Sequence, residues 1–465
     1  MTKTYRLCFN TIRRKLSDRV DASSLLVFRI LFGLLMVQFA FNHFNLKWMR
    51  NYFTGTSMNF YHWPLSMIKP LPPTYMKGLL VLLGVAGLCL AAGLLYRLSA
   101  LSICLITFYL IFCEYHYYQN HIYLVGLLAF LFFLTPLNRV SSVDCWLFNI
   151  ETEASVPTWS LWMFRFQLAV VYGYAGFWKL NPDWLNCIPL ATRLAHEIEI
   201  PLFETFLEAP ATVMVLAWGT IAFEFLLVPG LLWKYSRPLA FASGVLFHGM
   251  TKFLFNLDLF PRLAIAALTL FLAPSWPKAV GLRPGSSDEP INRESDSNSQ
   301  SKPAGKLLCG FLIVYCLIQL IVPLRGFIYD GSIGWTRSGQ TFAWRMFIDS
   351  TRDQDPREIK IVDRNGRILE YVDPGNHLTK FQYLNFSEQP VTLAQFARFV
   401  RKQAQPHYEI PIAVRANIRA SYNGRKPQFL VDPTVDLSRV EIGWGTPDWI
   451  RPLKTDYQRG RGCLF

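Results

Sequence analysis

Nine long apolar runs constrain this chain more than any other feature of its sequence. They occupy residues 24–44, 77–95, 97–115, 121–137, 161–180, 211–233, 238–256, 261–274 and 306–324. A transmembrane helix needs about 20 mostly apolar residues, so most runs can cross a bilayer, whereas 261–274 suffices only for a half-span. The runs predict an α-helical polytopic membrane bundle of about eight or nine spans, followed by a small extramembrane domain.

The basic residues of the chain indicate how these spans are oriented. Segment 1–20 is rich in lysine and arginine, and further basic residues lie at Arg97, at Arg139 and in 275–305. Because lysine and arginine concentrate in cytoplasmic loops, the N-terminus is predicted to be cytoplasmic. An odd number of spans then places the region from 325 onward outside the cytoplasm, in a periplasm or a lumen. The net charge of +14 is not accompanied by a basic, aromatic-interleaved module, so nucleic-acid binding is not expected.

The composition changes along the chain and predicts three domains. These are a basic cytoplasmic N-terminus at 1–20, a transmembrane domain at 21–324 and an extracytoplasmic domain at 325–465. Within the transmembrane domain, residues 283–305 are rich in serine, aspartate and asparagine and poor in apolar residues. Such a composition predicts a mobile linker.

The extracytoplasmic domain has the patterns of a small α+β or β-rich fold. Asn365-Gly366 follows the apolar segment Ile359–Val362, and Asn423-Gly424 follows 410–421. An Asn-Gly pair between apolar segments is a strong signal for a β-hairpin, so two hairpins are predicted. Between them, four apolar residues at helical spacing predict one helix: Leu393, Phe396, Ala397 and Val400.

Several polar side chains lie inside or at the ends of the predicted spans. An ionisable group is costly there and marks a functional site by default. Asn120 and His121 begin the fourth span, Lys179 ends the fifth, and His248 lies near the middle of the seventh. Helix rise places Lys179 and His121 at the outer boundary, facing the extracytoplasmic domain. An interfacial histidine and a hydrogen-bonded core histidine remain the simple alternatives for His121 and His248.

Lys179 itself has two interpretations. A lysine at the end of a span commonly extends its amine to the membrane interface. Against this, Phe177, Trp178, Leu180 and Trp184 flank it and would remove water from the amine. Desolvation favours the neutral amine, which is the form that acts as a base. On the residues alone both interpretations stay open.

Two further charges lie within the spans. Arg29 in the first span and Glu224 in the sixth have a similar estimated depth, so a buried structural ion pair between them is predicted. His116 and His121 are five positions apart, which does not place them on one helix face, and no metal site is predicted. The sequence contains no HExxH, Walker A or GxSxG motif, so the common soluble chemistries have no support.

Seven motifs occur in both parts of the chain. In the membrane part they are LLVFRILFGLLMV at 25–37, NHIYLVGLLAF at 120–130, KLNPDW at 179–184 and FHGM at 247–250. In the outer part they are FAWRMF at 342–347, YVDPG at 371–375 and VDPTVDL at 431–437. Together and in this order they resemble the vitamin K-dependent gamma-carboxylases, within the wider group of HTTM membrane proteins.

The resemblance implies a role for each matched residue. Lys179 matches the catalytic base of that family, and His248 matches a further active-site histidine. His121 matches an essential histidine, with Asn120 before it. Glu224 falls where these carboxylases also carry an acid, which fits a structural acid at that depth. The quinol pocket is expected to include five residues of the same motifs and their neighbours: Tyr174, Trp178, Trp184, Trp344 and Met346.

The resemblance also implies a reaction and its partners. A base takes a proton from reduced vitamin K, O₂ adds to the anion, and the adduct collapses to an epoxide through a strongly basic alkoxide. The alkoxide removes the γ-proton of a glutamyl side chain, and CO₂ traps the carbanion. The expected co-substrates are the vitamin K hydroquinone, O₂ and CO₂, without a metal. The expected partners are membrane lipid, an isoprenoid quinol and a glutamyl-containing peptide or protein.

Three functional hypotheses follow, because the chain also departs from animal members of the family. It ends soon after WGTPDWIRPLKTD, whereas animal carboxylases continue, so a bacterial or other non-animal homologue is expected. The leading hypothesis is a quinol-dependent glutamyl γ-carboxylase. The second is a quinol epoxidase without protein carboxylation. The third is a non-catalytic, lipid-binding membrane protein whose lysine only reaches the interface.

Overall fold

The computed structural model describes residues 11–197, 209–282, 305–443, 445 and 447–454. Helices of ten or more residues are α1 Ser23–His43, α2 Pro73–Ala92, α3 Tyr96–Cys113, α4 Asn120–Leu134, α5 Thr158–Lys179, α6 Ile188–Glu197, α7 Pro210–Leu232, α8 Arg237–Phe255, α9 Leu259–Leu268, α10 Lys306–Ile321 and α11 Pro390–Ala404. The strands are β1 Arg19–Asp21, β2 Ser155–Pro157, β3 Thr351–Val362, β4 Ile368–Val372, β5 Ala413–Tyr422 and β6 Gln428–Phe429. The predicted linker 283–305 lies outside the described residues except for its last residue.

The fold class is confirmed, since apolar helices dominate the chain and a small sheet follows them. Among the described residues, five helices are long and apolar enough to cross a membrane: α1, α2, α3, α7 and the helix Lys306–Ile328 that contains α10. The apolar helices α4 and α9 are shorter. α5 and α8 are long but carry more polar side chains, such as Gln167 and His248. The total of about eight or nine spans therefore stays a prediction.

The first two spans pack with their backbones in contact. A Cβ atom added to Gly33 of α1 would lie 2.4 Å from the Gly87 carbonyl oxygen of α2. The reverse addition at Gly87 would lie 2.7 Å from the Gly33 carbonyl oxygen. Small residues at such a crossing let membrane helices approach closely, where van der Waals packing rather than exclusion of water holds them together.

We call the domain from residue 325 onward the outer domain. Its described residues contain one four-stranded antiparallel sheet, against which α11 packs. The strand order is β4-β3-β5-β6, and both predicted hairpins are confirmed. In the second hairpin, Asn423 and Gly424 adopt positive φ angles of 46° and 74°, which are the angles that a tight hairpin turn requires. The predicted helix is confirmed as α11. Its four apolar residues are buried in the same core as the sheet residues Ile359 and Ile361.

A buried carboxylate joins the outer domain to the loop after α3. Glu114 is fully buried and accepts hydrogen bonds from the backbone N–H of Phe60 at 3.2 Å and from Gln382 of the outer domain at 2.9 Å. Its other oxygen contacts His116. A buried carboxylate is tolerated when such donors surround it. This contact helps to fix the orientation of the outer domain over the membrane helices.

Candidate functional site

A cavity of about 280 Å³ lies where the end of α5 meets α7 and α8. Most of its wall is apolar, with side chains such as Leu216 and Leu254. A buried amine, a buried carboxylate and a buried imidazole also line it: Lys179 from α5, Glu224 from α7 and His248 from α8. Polar groups that converge in an otherwise apolar pocket define a candidate site.

Lys179 is the last residue of α5, and its side chain points back into the protein. Side chains on a helix tilt toward its N-terminus, and Nζ lies 3.3 Å from the carbonyl oxygen of Ala175, one turn earlier. Nζ also donates to the carbonyl oxygen of Met346 in the outer domain at 3.3 Å and lies 5.0 Å from the centroid of the Trp184 ring. Only 2% of the residue is exposed. The amine is therefore enclosed rather than extended to the membrane interface.

Glu224 is the nearest charged partner of this amine. Its Oε1 accepts a hydrogen bond from Lys179 Nζ at 2.8 Å, and both side chains are buried. Its Oε2 has no hydrogen-bond partner within the described residues. A buried charge is costly unless it is paired, so the two groups stabilise each other in the apolar wall. They form a unit that can hold and exchange a proton.

The predicted ion pair between Glu224 and Arg29 is wrong, for a geometric reason. The predicted depth of Glu224 was counted from the start of α7, as if α7 began at the membrane boundary. In the structure, Trp184 and Leu190 from the segment after α5 pack against the first turns of α7, which places Glu224 level with the Lys179 amine. The Arg29 guanidinium donates instead to four backbone carbonyl oxygens: Ala91, Leu137, Val140 and Ser141.

His248 lies on α8 and lines the same cavity. Its Nε2 is 2.7 Å from the hydroxyl of Tyr172 on α5, and only 1% of His248 is exposed. Nδ1 has no hydrogen-bond partner in the described part of the chain. When the hydroxyl donates to Nε2, Nδ1 carries the ring proton. The ring is then a neutral donor held in one orientation by Tyr172, a residue that the sequence analysis did not select.

The structure places Asn120 and His121 beside the cavity rather than in its wall. The ring centroids of His121 and Phe260 are 6.4 Å apart, and the same Phe260 ring lies 5.6 Å from His248. Because Phe260 lines the cavity, one aromatic ring separates His121 from it. Asn120 donates a hydrogen bond to the carbonyl oxygen of Arg345 in the outer domain at 3.0 Å.

Segment 342–347 of the outer domain is tied to the membrane helices through its backbone. Three of its carbonyl oxygens accept a hydrogen bond: Ala343 from Trp178, Arg345 from Asn120 and Met346 from Lys179. Phe342, Trp344 and Phe347 have left-handed φ angles between 58° and 61°. Each such residue costs about 1–3 kcal/mol and persists only where its surroundings hold it. The contacts with the membrane helices supply that constraint.

The residues expected around a quinol divide into two groups. Trp184 and Met346 line the cavity. Contrary to expectation, three do not: Trp178, Tyr174 and Trp344. The Tyr174 hydroxyl donates to the Leu320 carbonyl oxygen of α10. Trp344 is buried against Tyr123, with ring centroids 5.0 Å apart. Tyr174 therefore joins α5 to α10, whereas Trp178 and Trp344 connect the membrane helices to segment 342–347.

Asp183 follows Lys179 by four residues and was not among the residues predicted from the sequence. Its buried carboxylate accepts hydrogen bonds from Arg425 at 2.8 and 2.9 Å and from Asn423 at 2.8 Å. Both partners lie in the turn between β5 and β6. The pair fastens the turn after α5 to the outer sheet. The sequence signal that could have identified Asp183 is an acidic residue just after the end of a predicted span.

A second carboxylate at this junction is held ionised by its neighbours. Burial alone would raise the pKa of Asp349, but the guanidinium groups of Arg345 and Arg337 and the hydroxyl of Tyr422 outweigh burial and hold that pKa below its ordinary value. Arg345 lies 2.9 Å away, and the Tyr422 hydroxyl donates at 2.6 Å. The resulting stabilisation is present at neutral pH and is lost only as the pH falls through the lowered pKa.

Asp183→Asn is expected to lower the free energy of unfolding by about 3 kcal/mol, because it removes the counter-charge of the buried Arg425. Thermal unfolding of the purified protein in detergent measures the change. The control is Asp432→Asn, which weakens the more exposed pair with Arg451 and should cost less than about 1 kcal/mol. Equal losses in both variants would contradict the role of Asp183.

Within the described ranges, no group of three or more His, Cys, Asp or Glu side chains is arranged to hold a metal ion. The cavity does contain a possible acid–base set: an amine hydrogen-bonded to a carboxylate, with an imidazole on the neighbouring helix. Such a set can take a proton from a ligand and stabilise the anion that results. The apolar wall keeps these groups away from bulk water.

The fold and this site define the class, a helical membrane protein with an outer domain closed over a buried lysine–glutamate pair. The family model of the HTTM domain matches residues 18–276, more than half of the chain. A second model, described as vitamin K-dependent gamma-carboxylase, lumenal domain, matches residues 304–456. The chain therefore belongs to the vitamin K-dependent gamma-carboxylase family, as its motifs predicted. No solved structure matches the chain.

Membership in this family makes the chain a membrane protein of the vitamin K-dependent carboxylase type. The family implies vitamin K-dependent chemistry and a glutamyl-containing substrate. The second match is described as a lumenal domain, which agrees with an extracytoplasmic C-terminal region. The cytoplasmic position of the N-terminus stays a prediction.

Proposed function

We propose that this protein oxidises vitamin K hydroquinone to its epoxide with O₂ and uses the strong base so formed to carboxylate glutamyl side chains at the γ-carbon. The overall reaction forms a carbon–carbon bond, and enzymes of this type are classified as carbon–carbon lyases. The observation that carries the proposal is the Lys179–Glu224 pair, buried at 2.8 Å in an apolar cavity between membrane helices. A lipid-soluble quinol reaches such a place from the bilayer, and its hydroxyl needs a base there.

In this proposal the amine and the carboxylate accept the first proton together. Lys179 Nζ faces the cavity, and Glu224 Oε1 is within hydrogen-bond distance of it. A proton that Nζ holds can pass to the carboxylate, which leaves the amine free to take the proton of the quinol hydroxyl. The sequence predicted only a structural role for Glu224. In this proposal Glu224 instead accepts a proton from Lys179.

The remaining residues orient the substrate and exclude water. His248, fixed by Tyr172, donates a hydrogen bond that stabilises a quinol oxyanion. Met346 and Trp184 close the outer side of the cavity over the amine. Exclusion of water protects a strongly basic intermediate from protonation before it reaches the glutamyl γ-carbon. Asn120 acts through segment 342–347, whose position it fixes.

Purified protein given reduced vitamin K, air, ¹⁴C-bicarbonate and a glutamyl peptide is expected to form vitamin K epoxide and to label the peptide. Both products should disappear without O₂, and a peptide with glutamine in place of glutamate should stay unlabelled. Chromatography measures the epoxide, and acid-stable radioactivity measures the carboxylation.

Two results would change this conclusion. Epoxide without peptide label would leave a quinol epoxidase, the second hypothesis of the sequence analysis. Neither product, with protein that is folded and monodisperse, would remove both enzymatic hypotheses and leave a lipid-binding protein.

A further inference from the structure

Two arginines lie near each other on the side of the membrane helices that faces away from the outer domain. Arg165 precedes Lys179 in α5 by fourteen positions, which is about 21 Å along a helix. Since Lys179 contacts the outer domain, Arg165 lies toward the opposite boundary. Arg237 is the first residue of α8, after the turn from α7. Its guanidinium is near enough to repel that of Arg165. We call these two residues the arginine pair.

The arginine pair has no carboxylate partner among the described residues. Backbone carbonyl oxygens hold both guanidinium groups instead. Arg165 donates from Nε to Leu270 at 2.8 Å and from Nη2 to Leu272 at 3.4 Å. Arg237 donates from Nε and Nη2 to the last two carbonyl oxygens of α7, at 2.9 and 3.3 Å. Carbonyl groups orient a guanidinium but carry no net negative charge, so the two positive charges are not neutralised in this part of the chain.

The third nitrogen of each guanidinium, Nη1, donates to no oxygen within the described ranges. Both side chains are half-buried, and their carbonyl contacts hold these Nη1 groups in place. Arg29 is different, because both of its Nη groups are used in bonds to backbone carbonyl oxygens. Two available guanidinium donors held close together suit an anion with several oxygens, such as a phosphate.

Apolar side chains that face lipid surround the arginine pair. Trp162, nearly one turn before Arg165, is exposed, and its ring centroid lies 5.3 Å from the guanidinium. Trp233 and Leu239 are exposed on either side of Arg237 along the chain. Tryptophan is enriched where a bilayer meets water. An anion at this place therefore has hydrocarbon chains beside it, which fits the head group of a phospholipid better than a free phosphate ion.

We propose that the arginine pair binds the phosphate of an anionic phospholipid in the leaflet opposite the outer domain. Basic pockets between membrane helices bind such head groups. Lys234, exposed in the turn between α7 and α8, adds a third positive charge that attracts them. The bound lipid joins the first half of α5 to the start of α8 and stabilises both helices. The site lies outside the cavity that Lys179 lines, so the inference does not depend on the proposed function.

The substitutions Arg165→Gln and Arg237→Gln each test the site by removing one positive charge. The purified, delipidated protein in detergent is titrated with dioleoylphosphatidylglycerol, which is anionic, and with dioleoylphosphatidylcholine, which has no net charge. Binding is measured as the rise in unfolding temperature above the lipid-free value of the same protein. The wild type is expected to bind the anionic lipid at least about tenfold more tightly than the neutral one, and each variant to lose about tenfold of that affinity.

The matched control is Arg139→Gln. Arg139 follows the end of α4 that lies away from the outer domain, and its charge is already paired with Glu153 at 2.9 Å. This variant should bind the anionic lipid as the wild type does.

Three results would overturn the inference. The first is a wild type that responds equally to the two lipids, an outcome that requires no variant to fold. The second is undiminished binding of the anionic lipid in either variant of the arginine pair. The third is the same rise in unfolding temperature with inorganic phosphate at equal concentration, because the site would then bind a free anion rather than a lipid.

Discussion

Lys179→Arg is expected to reduce epoxide formation from reduced vitamin K by about a hundredfold to ten-thousandfold, the range that a positioned acid–base group contributes. Arginine keeps the positive charge and the pairing with Glu224, but it does not give up its proton at any pH at which the protein is folded. The initial rate of epoxide formation, measured by chromatography under saturating quinol, gives the effect.

The same substitution at an exposed lysine of α8, Lys252→Arg, is the control and should leave the rate unchanged. Quinone binding should survive in the Lys179 variant, because the cavity wall is otherwise intact. A Lys179→Arg protein that forms epoxide at the wild-type rate would contradict the role of Lys179 as the base.

Glu224→Gln is expected to lower the same rate by about a hundredfold. Glutamine has nearly the same shape and can still accept a hydrogen bond from Lys179, but it cannot accept the proton. The proton that the amine holds then has no carboxylate to pass to, so the pH dependence of the rate should differ from that of the wild type. The measurement is a pH–rate profile of both proteins.

This profile separates a proton-accepting role from a merely structural one. If Glu224 had only a structural role, its substitution would lower the rate of epoxide formation by the same factor at every pH. Glu409→Gln, an exposed acid of the outer domain, is the matched control and should reproduce the wild-type profile. A Glu224→Gln protein with the wild-type profile would contradict the shared-proton arrangement.

Much of the fold could be predicted because its signals are local. The two Asn-Gly turns and the spacing of Leu393, Phe396 and Val400 specified the outer hairpins and α11 without knowledge of their neighbours. The apolar runs likewise specified the membrane helices. The segment after α5 was not predicted. It forms helix α6, which packs against the first turns of α7, and no apolar run in the sequence indicates this helix.

The sequence predicted residues of the site but not how their side chains contact one another. Helix rise gives the depth of a residue but not the direction in which its side chain points, nor the offset between two helices. Lys179 was therefore placed correctly at the end of its span, whereas its pairing with Glu224 was missed. For the same reason His121 was expected beside the base, although the Phe260 ring lies between it and the cavity.

The bonds from Trp178, Asn120 and Lys179 to segment 342–347 have an evolutionary consequence. The amine takes one of its acceptors from a stretch encoded more than 160 positions later, at Met346. Recombination that joined this bundle to a foreign outer module would leave that acceptor misplaced and the strained turn unsupported. The two modules are therefore expected to diverge in step, with changes in one matched by changes in the other.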